Sequence, residues 1–127
     1  MKKFFSILAI FLLILTGCGQ KGDNRNFKGD STHWTVLYSI IGSSDYKEEK
    51  FKIIYKGNDI SSVGKVKYKI DDMAGEEPLS KDGYITGVNR SGGAIAQKVN
   101  PKLSVKIEWN GQQEEVILSG TNLQLQI

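Results

Sequence analysis

The chain contains one cysteine, one histidine and two prolines in 127 residues. A lone cysteine allows no disulfide within the chain, so a folded domain must stand on packing alone. Too few Cys and His residues are present for a structural or catalytic zinc centre. A hydrolase triad would lack both a thiol and a base placed in an ordered segment. A phosphate loop is missing as well: the stretch from Arg90 to Ile95 is rich in glycine but lacks the Gly-Lys-Ser/Thr ending. Charge of one sign is also scarce, since 17 Lys and Arg face 14 Asp and Glu for a formal +3. That balance argues against a nucleic-acid partner. A carboxylate pair such as Asp72 with Glu76 or Glu77 is close in sequence, but glycosidase chemistry needs a deep cleft that a small domain seldom builds. The expectation is a protein that is not an enzyme and carries no cofactor.

One long apolar run is there. Lys2 and Lys3 precede the stretch Phe4 to Leu15, twelve residues interrupted only by Ser6. As a helix it would span about 18 Å, well short of a bilayer core of about 30 Å. That length marks a signal h-region rather than a membrane-crossing helix. The run ends in Leu15-Thr16-Gly17-Cys18, which resembles the lipobox of bacterial lipoproteins. The resemblance implies that residues 1–17 are a cleaved signal peptide and that Cys18 carries a thioether-linked diacylglycerol. It further implies a place on the outside of the cell membrane, held by lipid, in a protein similar to the small lipoproteins of Gram-positive bacteria more than to Gram-negative ones. Two acyl chains are what stable retention requires. Loss of Lys2 and Lys3 leaves fifteen basic against fourteen acidic side chains, so the mature chain is nearly neutral.

Residues 18–33 read as the lipidated cysteine and a flexible tether. The segment mixes glycines with charges, and Phe27 is its one large apolar residue. Such a composition buries too little surface to fold by itself, and Phe27 and His33 are expected to face solvent or dock lightly.

From Trp34 onward the pattern changes to strands. Runs at 34–41, 51–56, 65–70, 83–88, 103–109, 114–119 and 122–127 are rich in β-branched and aromatic residues or alternate with period two, and turn residues separate them. In 65–70 Val66, Tyr68 and Ile70 share one face and three lysines the other; in 103–109 Leu103, Val105, Ile107 and Trp109 do so. Asn110-Gly111 predicts a two-residue type I′ hairpin, with Lys106 opposite Glu115 and Val105 opposite Val116. Residues 34–127 are therefore expected to form one all-β domain. Seven short strands fit an antiparallel β-sandwich that resembles immunoglobulin-like domains in pattern only, without their paired cysteines. A small up-and-down barrel or meander is the alternative.

Two clusters are candidate sites. If 51–56 and 65–70 pair as a hairpin, Lys52, Lys56, Lys65, Lys67 and Lys69 share a solvent face suited to anionic lipid or wall polymer. The plainer role for such lysines is keeping a sheet face soluble and an edge unpaired. The stretch 71–83 gathers Asp71, Asp72, Glu76, Glu77 and Asp82, a candidate calcium loop by oxygen content whose spacing matches no known calcium motif. An ordinary solvated loop explains it as well. Two partners follow beyond the membrane itself: an unknown protein bound by a non-catalytic accessory module, or, as the alternative, an anionic envelope polymer or lipid docked on the lysine face.

Overall fold

In a computed structural model, which describes residues 23–42, 46–71, 73–92 and 103–127, eight strands form one sheet. They are β1 (Asp23–Asp30), β2 (Trp34–Gly42), β3 (Tyr46–Tyr55), β4 (Lys65–Ile70), β5 (Met73–Pro78), β6 (Tyr84–Gly92), β7 (Leu103–Trp109) and β8 (Gln112–Thr121). The spatial order is β5-β4-β7-β8-β1-β2-β3-β6, and every neighbouring pair is antiparallel. The terminal strands β5 and β6 follow one another in the chain, so the sheet curls into a nearly closed barrel. The all-β expectation holds, and of its two forms the barrel-like alternative is the one present. Residues 1–22, including the signal segment and Cys18, lie outside the described residues.

Period-two alternation explains how this sheet encloses a core. Val66 and Ile70 on β4, Val105 and Ile107 on β7, and Val116 and Leu118 on β8 are all buried on one side. Trp34, Val36 and Tyr38 on β2, Phe51 and Ile53 on β3, and Ile85 on β6 belong to the same cluster. A closed sheet needs only one buried face, which is why a chain without disulfides has enough core.

The seam between β5 and β6 is filled from inside. Phe51 and Tyr68 meet with ring centroids 5.2 Å apart. The Phe51 ring lies against Gly87 on β6 and the Tyr68 ring against Gly75 on β5, so closely that a Cβ at either glycine would collide with the ring. Each glycine is thus a notch in an edge strand that receives a ring.

Four expectations about elements are corrected. Residues 23–30 are not tether: they form β1, paired with β2 and β8, and Phe27 is buried in the core. That strand has a single large apolar residue, and its order comes from ladders on both sides rather than from local propensity. Residues 73–78 are strand β5 rather than loop, held on one side by β4 and ending at Pro78, as suits an edge. Residues 122–127 are not a strand despite their alternation. The ladder ends at Thr121, and the carbonyl of Leu123 is taken by the Asn26 side chain. Finally, β3 pairs with β2 and β6, and β4 with β5 and β7, so the expected 51–56/65–70 hairpin does not form.

The Asn110-Gly111 hairpin is present in the expected register. Asn110 and Gly111 have φ of 49° and 70°, Lys106 lies opposite Glu115, and Val105 opposite Val116.

Candidate functional site: a charged groove on the outer face of β5, β4 and β7

Because β4 pairs with β5 and β7, its outward lysines stand between two strands whose outward residues follow from register. Lys69 faces Ala74 on β5 and Lys106 on β7. One row further along, Lys67 stands between Glu76 and Glu108. The third row begins with Lys65, opposite Pro78. Two recesses follow these rows. The first, about 460 Å³, is lined by Lys67, Lys69, Ala74, Glu76, Lys106 and Glu108, with Tyr68 and Gly75 at its base. The second, about 470 Å³, shares Lys67, Glu76 and Glu108 and continues towards Lys65 and the Asn110-Gly111 turn. Together they make one shallow groove along β4.

The charges along it alternate. Lys67 is flanked by two carboxylates, whereas Lys69 and Lys106 are like charges directly across a ladder, an arrangement that destabilises a sheet. Among the described residues neither lies within ion-pair distance of a carboxylate. Lys106 has Glu115 as its register partner on the other side, away from the recess.

The five lysines proposed from the sequence are therefore divided. Lys65, Lys67 and Lys69 line the groove. Lys52 sits on the outer face of β3 with its Nζ 4.3 Å from the Tyr84 ring centroid. Lys56 donates to the Ser31 carbonyl at 3.0 Å. Lys106 and Glu108 were legible as outward residues of an alternating strand, but nothing in the sequence marks β7 as the neighbour of β4.

The acidic cluster is dispersed as well. Asp71 occupies the β4–β5 turn with φ of 49°, and Asp82 lies in the turn after β5. Glu76 points outward, while Glu77 is half-buried and accepts from the Tyr68 hydroxyl at 3.4 Å. Burial, and then the Glu77 charge, push the Tyr68 hydroxyl above its ordinary pKa. Asp72 lies outside the described residues, and among those described no three acidic, His or Cys side chains gather as metal ligands.

Two carboxylates elsewhere serve structure. Glu49 is buried on the inner face, accepting from the Tyr38 hydroxyl at 2.8 Å and pairing with Lys47 Nζ at 2.8 Å. Glu114 ties the β7–β8 hairpin to the β1–β2 turn. It accepts from the Ser31 hydroxyl at 2.6 Å, from the His33 backbone N–H at 3.0 Å and from His33 Nδ1. The His33 ring also lies 5.4 Å from that of Trp109. His33, expected in a tether, instead belongs to the fold.

Burial works to raise the Glu114 pKa. The hydrogen bonds from Ser31, the His33 N–H and the His33 ring outweigh it and hold the carboxyl below its ordinary range. A depressed carboxylate contributes stability that is complete above its unfolded value, about 4.3, and is lost as pH falls through the folded value. The stability difference between the native chain and Glu114→Gln is accordingly expected to shrink as pH is lowered from about 6 to about 3. Urea midpoints across that range measure it, and a difference independent of pH would refute the linkage.

Fold and site together define a barrel-like all-β protein with an external charged groove on β5, β4 and β7. No protein-family model, no curated protein and no solved structure matches the chain.

Proposed function

We propose that the protein is a non-catalytic binding module, tethered outside the cell membrane by lipid on Cys18, whose recognition surface is the β5–β4–β7 groove and whose partner is an anionic polymer of the envelope. The observation that carries this reading is the like-charged pair Lys69 and Lys106, set directly opposite one another over a recess. Like charges held together on a sheet are relieved by an anion between them.

A partner protein bound through an apolar patch has less support. The exposed large apolar side chains are dispersed: Ile117 is on β8 and Leu123 beyond it, while Ile41, Tyr46 and Val88 lie across β2, β3 and β6. The latter three are interleaved with the ion pairs that Glu48 makes with Lys50 and Arg90. Dispersed in this way, these five side chains do not supply the contiguous apolar area that marks a protein interface.

Co-sedimentation of the full chain with cell walls that retain their anionic polymers tests the proposal. Binding is expected to fall at least tenfold between about 0.05 and about 0.5 M salt, as screening shortens the reach of exposed charges. Charge reversal at Lys65, Lys67 and Lys69 together is expected to abolish it. Undiminished binding by that triple variant would refute the groove as the recognition surface.

A further inference from the structure

The order of charges along the groove is specific enough to name a ligand class. We propose that it binds a phosphodiester of a polyol, with the phosphate between Lys69 and Lys106 and the hydroxyl-bearing carbons over Glu76 and Glu108. This deepens the preceding proposal and rests on it.

The first two rows differ in what they offer a ligand. In the first row, two ammonium groups rise from positions whose Cβ atoms are about 5 Å apart across a ladder, beside Ala74, the smallest side chain of the recess. Two point charges with three donors each, carried side by side at the lining of one recess, suit one compact anion such as a phosphate. In the next row, two residues or about 7 Å along the strand, Glu76 and Glu108 flank Lys67. Ionised carboxylates only accept hydrogen bonds, so this row repels a second anion and attracts hydroxyl groups. A ligand with closely packed charges meets repulsion there. One whose single charge is followed by hydroxyl-bearing carbons meets acceptors.

The shape of the surface favours a free chain over a bilayer as the source of that phosphate. The outer face of a nearly closed barrel is convex, so a flat lipid surface would reach only its crest. A flexible polymer can follow the groove from the first recess into the second, which share the Lys67 row.

The test is a titration of the full chain in micelles of an uncharged detergent, followed by backbone amide NMR. Glycerophosphoglycerol is compared with dimethyl phosphate, a diester of equal charge without hydroxyls. Saturable shifts are expected at Lys69, Ala74, Lys106 and Glu108, with glycerophosphoglycerol binding at least about fivefold more tightly. The double variant Lys69→Gln with Lys106→Gln is expected to lose both ligands by tenfold or more. Glu76→Gln with Glu108→Gln is expected to keep dimethyl phosphate and to erase the preference. Equal affinity for the two diesters, or binding that survives the double lysine substitution, overturns the inference. Binding confined to phosphatidylcholine vesicles that contain phosphatidylglycerol, with no shift from the soluble diester, also overturns it in favour of a bilayer. If the diesters fail while salt-sensitive wall binding persists, this inference falls alone. If both fail, the proposed function falls with it.

Discussion

Replacing Gly29 by alanine is expected to cost about 3 kcal/mol of stability, at the upper end of what overpacking a core usually costs. Gly29 lies on β1 with its inner side against β8. A Cβ there would collide with the Ile117 carbonyl oxygen and stand 2.9 Å from both Leu118 Cδ2 and Val116 Cγ1. The nearest obstacle is backbone, so no side-chain rotation relieves the clash, and the β1–β8 approach that helps close the barrel must open. Gly120, which pairs with Phe27 on the same two strands, has open space for 4 Å around the place an alanine methyl would take. Gly120→Ala is therefore expected to change stability by less than about 0.5 kcal/mol, or to raise it slightly through the unfolded chain. Urea unfolding of both variants decides the matter. Equal costs would mean that strand propensity rather than the close approach governs both sites.

The second large effect is at Trp34. Its side chain is fully buried, with ring centroids 5.1 Å from Tyr55 and 5.2 Å from Trp109, the latter at an interplanar angle of 79°. Trp34→Ala is expected to cost about 4 kcal/mol from lost burial and the cavity left behind. Its indole Nε1, however, has no hydrogen-bond partner among the described residues. An unpaired buried donor costs about 1–3 kcal/mol, so removing it offsets part of the volume that Trp34→Phe loses. The phenylalanine variant is expected to recover at least half of the alanine penalty. Should it cost nearly as much as alanine, the N–H must be gaining energy from the face of Trp109, and its description as an orphan would be wrong.

Much of this protein was legible from its residues. Strict alternation in 65–70 and 103–109 returned β4 and β7 with the bounds the strands have, and Asn110-Gly111 returned a turn and a register. These succeed because a half-buried strand writes its two faces into every second residue, and a type I′ turn needs two positive φ values. Where the faces are not written, the expectation failed. β1 places Phe27 and Gly29 on its inner side, and Gly29 is there because β8 leaves no room for a Cβ. β5 presents Gly75 inward because the Tyr68 ring occupies that space. A glycine chosen for a neighbour's bulk looks, in sequence, like a glycine chosen for a turn.

The site divides in the same way. Local alternation alone determined that Lys65, Lys67 and Lys69 point outward together, and that Lys106 and Glu108 do so on another strand. Only the tertiary structure decided that these strands are neighbours, that Lys52 and Lys56 are elsewhere, and that Glu76 is a wall of the groove rather than part of a loop. The physical reason is that side-chain direction along a strand is a two-residue property, fixed by the pleat. Which strands lie side by side is set by how the whole sheet closes around its core, and that closure spends the chain's freedom in long-range pairings no short window can contain.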